Sequence, residues 1–322
     1  MTNTLVIDTS YGSTVGVVGH DPIVETNSRT HVERLQVDIA KVVADAGLAP
    51  GDLDRIVVGV GPGPYTGLRA GIVAAKAISL ATGAALVGTD ILTPQARMAD
   101  AVRGLAGALA AEDGASTSAH PAPEPDTAAF RALTSSGDGE STVHLTLAVN
   151  DARRRQLYFA LFMNDDLRAA IASHAERGGE VGEFSSDGPL IGMDIDYPDH
   201  LVGRVQAAIA TLPEGLRTRV VVDIIGHGAE RYASLWRDLG RPGAVVDSSV
   251  LDMGAWGLAL FADSAGETGT SHAVEPLYLR RPDVSVPNPL KHVLKDGPRR
   301  GDDRRPADQG SRGGRRGNGS AS

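Results

Sequence analysis

The chain of 322 residues contains no cysteine. That absence excludes disulfides, thiolate nucleophiles and cysteine-built zinc sites together. Histidine is scarce and scattered: His20, His31, His120, His144, His174, His200, His227, His272 and His292. No two of them lie three or four residues apart, so no helix offers two imidazoles on one face, and the expectation is a chain that binds no metal. There is neither a Gly-x-Ser-x-Gly elbow nor a glycine loop ending in Gly-Lys-Ser/Thr. The sequence marks of serine-hydrolase and P-loop chemistry are therefore missing. No apolar run reaches the roughly 18 residues of a membrane span, and Met1–Val6 leads into a strand pattern without basic residues. A cytoplasmic protein with no membrane contact is expected.

What is present is enough apolar material, 42% of residues, for two domains. The net charge of −9 is uneven, because Ser285–Ser322 carries +5 and the rest of the chain −14. That last stretch is rich in Gly, Pro, Ser and Asp, with Arg-Arg and Arg-Gly-Gly-Arg-Arg pieces. Such composition cannot bury enough surface to offset its ordering entropy, so a disordered basic tail is expected over 285–322.

The first hundred residues read as tightly organised α/β. Leu5-Val6-Ile7 and Val15-Gly16-Val17-Val18 form strands joined by the polar turn Asp8–Ser13. A helix is expected over about 32–46, with Val32, Leu35, Ile39, Val42 and Val43 on one face and Gly47 as its stop. A strand over Ile56–Val60, a helix from about Leu68 to Thr82, a short strand at Ala85–Val87 and a helix over 94–104 complete the N-terminal lobe, residues 1–103. Between 104 and 141 the composition falls to Ala, Gly, Ser, Thr, Pro and acids, which reads as a flexible insertion rather than a structural element. The pattern then starts again. A second hairpin runs over 144–150 and 156–162 around Asp151-Ala-Arg-Arg-Arg, and a strand at Arg219–Ile225 leads through Gly226-His-Gly to a helix over 229–239. A second lobe over 142–250 and a C-terminal helix with a closing segment over 251–284 follow, and the whole suggests internal duplication.

Three features carry candidate chemistry. Gly61-Pro-Gly-Pro-Tyr-Thr-Gly67 joins a strand to a helix N-terminus, a geometry suited to an anion or to a closely approaching backbone. With Asp8 and Ser10 at the end of the first strand, Gly61 and Gly63 are the candidates for cofactor contact, although the carboxylate reads equally as a turn former. On the second hairpin, Arg153 and Arg154 are candidates for RNA or another anion, or simply solvated. Along the helix after the glycine loop, Gly67, Gly71 and Ala75 recur every four residues beside Ala70 and Ala74. A stripe this small lets another backbone approach closely, either that of its own sheet or that of another chain.

These residues resemble the TsaB (YeaZ) family. The resemblance rests on Leu5-Val-Ile-Asp-Thr-Ser10, the Gly61–Gly71 loop, Asp151-Ala-Arg-Arg, Gly226-His-Gly-Ala-Glu-Arg-Tyr232 and Pro276-Leu-Tyr-Leu-Arg-Arg-Pro-Asp283, and it covers about 4–284 apart from the insertion. It implies an actin-like (ASKHA, ribonuclease H-like) fold of two related α/β lobes. It also implies a non-catalytic dimerization subunit that pairs with and activates TsaD, the enzyme that transfers a threonylcarbamoyl group to N6 of an adenosine in ANN-decoding tRNAs. A TsaE-like ATPase would join them, ATP and magnesium would serve the assembled complex, tRNA would be met through the complex, and the chain would form a homodimer when its partner is absent. The His-x-x-x-His metal motif of TsaD-type proteins is missing here. Carried onto this sequence, the pairing surface would use Val32, Leu35 and Ile39 of the first helix and Gly67, Arg69, Ala70, Gly71, Ala74, Ala75 and Ile78 of the second. The alternatives are an active nucleotide-dependent enzyme of the same fold, a kinase or carbamoyltransferase, and more remotely a peptidase.

Overall fold

The computed structural model describes residues 2–26, 31–110, 128–135, 142–177, 188–267 and 274–280. Contacts divide the chain into residues 1–282 and 283–322, and every described residue lies in the first unit. The basic tail expected over 285–322 falls outside the described residues.

Two five-stranded sheets are built to one plan. The first holds β1 (Thr4–Asp8), β2 (Ser13–Val17), β3 (Ile23–Glu25), β4 (Arg55–Gly61) and β5 (Ala85–Asp90) in the order β3-β2-β1-β4-β5. The second holds β6 (Val143–Asp151), β7 (Leu157–Met163), β8 (Ile191–Asp196), β9 (Val220–Ile225) and β10 (Pro242–Val246) in the order β8-β7-β6-β9-β10. In each, the first three strands form an antiparallel meander, and the fourth and fifth run parallel to the first. Central strands such as Ile56-Val57-Val58 and Leu157–Met163 are buried on both faces, so they read as unbroken apolar runs rather than alternating ones.

Helices cover the outer faces. α1 (His31–Asp45) and α2 (Tyr65–Thr82) pack Leu35, Ile39, Val42, Ile72 and Ala75 on one face of the first sheet. Gly83, at φ +79°, takes the left-handed conformation that ends α2 at little cost. α5 (Asp165–Glu176), α6 (Pro198–Ala210), the short α7 (Glu214–Arg217) and the short α8 (Ala233–Trp236) cover the far face of the second sheet through Leu167, Leu201, Leu216 and Trp236.

Between the sheets the helices are exchanged. α3 (Leu92–Ala110) follows the first sheet in sequence but lies against β6 and β7 of the second. α9 (Gly254–Glu267) follows the second sheet but lies against β1, β2 and β5 of the first. One apolar core therefore joins Val6 and Val57 to Ala148, Phe162 and Ile225 through Met98, Val102, Leu258 and Phe261.

Two expectations differ. The stretch read as a flexible insertion contains ordered helix: residues 104–110 continue α3, and α4 (Ala128–Ser135) buries Ala129, Phe130 and Leu133 beside β10. Three apolar side chains at helical spacing suffice to dock a short helix of otherwise plain composition. The helix expected over 229–239 is broken into a 3-10 turn, the four residues of α8 and a second 3-10 turn. Buried Trp236 donates from Nε1 to the Ala229 carbonyl at 2.7 Å, and the tight winding brings the indole back to that oxygen.

Candidate functional site

The two hairpin turns face one cleft. Asp8 pairs with Thr14 and Asp151 with Leu157, so each sheet presents an aspartate followed by a five-residue turn. Their environments differ. Asp8 is buried, accepting the Ser10 amide at 3.0 Å and the Ser10 hydroxyl at 2.7 Å, and Gly59 leaves the space its carboxylate fills. Burial pushes the Asp8 carboxyl above the ordinary carboxylate range despite the two Ser10 hydrogen bonds. A carboxylate buried and bonded to its own turn has no open side for a hydrated magnesium ion, so this turn does not fit a metal–nucleotide group. Asp151 is spent on Arg231 at 3.0 Å and on the Arg153 amide at 2.9 Å.

The glycine loop makes a close backbone approach to the first hairpin. A Cβ at Gly63 would stand 2.8 Å from Ser10 Cα and 2.9 Å from its carbonyl oxygen, and Gly61 sits at φ +106°. Ser10 thus meets Gly63 and accepts no wider neighbour there, while Asp8 lies against Gly59 and Gly61 against Leu68 and Leu277. Other groups tie the lobes across this point. Asn150 donates to the Pro62 and Ser10 carbonyls at 3.4 and 3.5 Å, and Tyr158 Oη donates to the Gly63 carbonyl at 3.4 Å. Tyr11 stacks on His227 with centroids 3.9 Å apart, and His227 Nε2 lies 2.8 Å from Asp252. Burial opposes ionisation of Asp252, yet the His227 hydrogen bond and charge hold its carboxyl below the usual range.

Beside these ties a cavity of about 700 Å³ remains, lined by Thr9, Tyr11, Glu33, Thr66, Asp151 and Arg153 among others. Arg153, on that wall, and the following Arg154 and Arg155 take three successive left-handed conformations, φ 60°, 50° and 62°, and all three side chains are exposed. Each such non-glycine residue costs roughly 1–2 kcal/mol. Residues 274–280 complete the site as a strap. The Leu277 amide donates to the Val60 carbonyl at 2.7 Å, Lys76 pairs with Glu275 at 2.8 Å, and Tyr278 stacks on Tyr65 at 4.9 Å. The Arg280 guanidinium donates to the Ala152 carbonyl at 2.9 Å and reaches the Gln156 side chain.

The surface assigned to pairing needs correction. Leu35, Ile39, Gly67, Gly71, Ala74 and Ala75 are buried in their own lobe. At Gly71 a Cβ would stand 2.5 Å from Thr9 Oγ1, so the small-residue stripe seats α2 on the first hairpin and sheet rather than on another chain. Val32, Ala70 and Ile78 are half-buried, and Arg69 is exposed. The outward faces of α1 and α2 instead present Val37 and Val73, each 64% exposed, and Leu80, 89% exposed. Their signal lay in the sequence. Arg69 and Lys76 mark the solvent side of α2, and Val73 and Leu80 fall on that side at helical spacing. Among the described residues no helix is long and apolar enough to cross a membrane, and no three His, Asp or Glu side chains gather as a metal-ligating set.

Two lobes of identical strand order, hairpins facing across a cleft and helices exchanged between sheets define the actin-like two-lobe α/β class. Comparison with known proteins agrees. A family profile described as "TsaD: tRNA N6-adenosine threonylcarbamoyltransferase" matches residues 16–107. An uncharacterized protein of Mycobacterium tuberculosis (Rv3421c) is 33% identical over 165 residues, covering 49% of this chain and 58% of its own. The tRNA N6-adenosine threonylcarbamoyltransferase of Ruegeria sp. (strain TM1040) is 43% identical over 72 residues, 22% of this chain and 20% of its own. The chain thus spans 58% of the length of the mycobacterial relative. Among solved structures, YeaZ from Pseudomonas aeruginosa superposes with a TM-score of 0.50 at 17% identity, over 87% of this chain and all of that one. A second Pseudomonas aeruginosa structure, described as similar to peptidase YeaZ, gives 0.51 at 17% identity over the same shares. Residues 16–107 are thus similar to the TsaD family model, and the likeness to the YeaZ structures shows the fold.

Proposed function

We propose that the chain is a non-catalytic, TsaB-like scaffold that pairs with and activates a TsaD-like catalytic subunit in tRNA N6-threonylcarbamoyladenosine formation. The observation that carries this reading is the exposure of apolar side chains on two helices in contact, Val37 on α1 and Val73 and Leu80 on α2. Isolated apolar side chains on a surface are ordinary, but three of them turned outward on two helices that pack together are what a covering partner would use. The sealed first hairpin supports the non-catalytic part, since Asp8 is committed to Ser10 and Tyr11 to His227. A kinase or a self-sufficient carbamoyltransferase would need that carboxylate open. On this reading the TsaE-like ATPase and tRNA join through the complex, which uses ATP and magnesium, and the chain works in the cytoplasm. The same face would support a homodimer when the partner is missing. The test is co-expression with a TsaD-like subunit, followed by co-purification and nucleoside analysis of tRNA after depletion of this chain. Normal threonylcarbamoyladenosine levels in depleted cells would overturn the reading.

A further inference from the structure

We propose that the surface beside the cleft, formed by the Tyr65–Tyr278 pair with Arg69 and by the Arg153–Arg155 turn that Arg280 holds, binds single-stranded RNA. An unpaired base would stack on the tyrosine pair while Arg153 and Arg155 meet phosphates. This rests on the proposed function and deepens it by giving the chain its own hold on the RNA.

Four observations meet here. Tyr65 at the start of α2 and Tyr278 on the strap stack at 4.9 Å and 26°, yet they remain 46% and 37% exposed. A chain with only 4% aromatic residues spends two of them on an exposed ring platform, to which Arg69 adds its guanidinium 4.6 Å from the Tyr65 centroid. Aromatic faces flanked by arginine are the sequence-tolerant means of holding unstacked bases. The platform also adjoins the basic turn. Arg280, two residues after Tyr278, binds Ala152 and Gln156 at the two ends of the turn that carries Arg153, Arg154 and Arg155. Pro64 and Thr66, which flank Tyr65, line the same cavity as Arg153.

The third observation is charge. In a chain of net charge −9, Arg153 and Arg155 are exposed and make no ion pair among the described residues. Nearby acids include Asp151, paired with Arg231, Glu275, paired with Lys76, Glu33 on the cavity wall, and Asp247, which accepts the Gly228 amide, with Glu230 beside it. The fourth is conformation. Three successive left-handed arginines hold their side chains on a tight tip where glycine or asparagine would rest more easily, so the turn maintains cations against its local preference. The cavity of about 700 Å³ that Arg153, Pro64 and Thr66 line gives a splayed base somewhere to go.

The experiment is fluorescence anisotropy on the full chain, with a labelled oligouridylate of about 12 nucleotides, within the span that single-stranded sites cover. Polyglutamate serves as competitor. The double variant Arg153→Gly with Arg155→Gly suits the left-handed backbone and keeps the fold, which thermal melting checks. It should weaken binding and lower the slope of log affinity against log salt by about 1.4, at roughly 0.7 for each phosphate no longer neutralised. Tyr278→Leu keeps much of the packing and removes the ring, and a loss of roughly tenfold with unchanged salt slope is expected. Residues 285–322 stay intact in both variants. Unchanged binding in both would therefore place any RNA affinity elsewhere and overturn the proposal. Displacement by polyglutamate as efficient as by unlabelled RNA would overturn it too, making this surface one for acidic protein. Co-purification with the TsaD-like subunit is scored separately. RNA binding lost while the partner is kept supports the RNA surface. No RNA binding by the wild type, with the partner kept, sinks the RNA surface alone. Failure of the partner to co-purify sinks the proposed function instead.

Discussion

Replacing Val73 and Leu80 by glutamate should abolish pairing and leave the lobe folded. Both side chains point into water from α2, at 64% and 89% exposure, so the folded monomer loses almost no burial. Surface changes of this kind stay within about 0.5 kcal/mol of neutral. In a pair the balance is different. Covering a leucine and a valine is worth about 1.5–3 kcal/mol each when burial is complete. Partial burial brings the two together to about 2–5 kcal/mol, before any charge is left facing an apolar surface. At 1.4 kcal/mol per tenfold, the dissociation constant should rise by roughly thirtyfold to several thousandfold. Titration calorimetry of the purified TsaD-like subunit into this chain measures that change, and thermal melting of the same samples reports the fold. A double variant that melts like the wild type and still pairs with undiminished affinity would refute the reasoning, since the outward face of α2 would then not be the contact.

Gly71→Leu should do the reverse and destabilise the chain by about 1–3 kcal/mol or more, because its Cβ already meets buried Thr9 at 2.5 Å; an unchanged denaturation midpoint would show that α2 can shift away. Asp100 has its carboxyl raised to about 7, chiefly by burial, with Arg103 opposing and Asp165 and Asp166 reinforcing. A raised acid favours the protonated folded state, so its charge destabilises progressively as pH climbs from about 4 to 7 and fully above that. Each pH unit separating the free and the buried carboxyl is worth about 1.36 kcal/mol, so Asp100→Asn should stabilise at pH 8 by up to about 4 kcal/mol and do little at pH 4. Equal effects in urea titrations at both pH values would contradict this. Tyr11→Ala removes the ring that stacks on His227 between the lobes and should cost about 0.5–1.5 kcal/mol beyond the lost burial, as compared with Tyr11→Phe by chemical denaturation.

The sheets were legible because their central strands are continuous apolar runs, and the duplication because the same hairpin, strand and glycine turn recur in order. α5, β8 and α6 carried weaker marks. Met193, Ile195 and their neighbours alternate with acids that Arg204 holds, an ion-pair arrangement that hydrophobic patterning does not register. At the candidate site the residue types were found, but their direction was misjudged. Gly67, Gly71 and Ala75 signal close approach without naming what approaches. For Gly71 the answer is Thr9 on the first hairpin, far away in sequence. Tyr65 and Tyr278 became a unit only once the strap had crossed back over α2. In α4 the residues that point away from the core match the linker-like composition around them, and three buried side chains are the helix's whole signal.

The exchange of α3 and α9 between the sheets has a consequence for how the polypeptide can be divided. Each half lacks the lid for its own sheet and carries the lid for the other. Severed between α3 and α4, the two pieces should be insoluble apart and recover native spectra when mixed, as complementing fragments do. During synthesis, likewise, the earliest strands wait with one greasy side uncovered until Leu258 and Phe261 have left the ribosome.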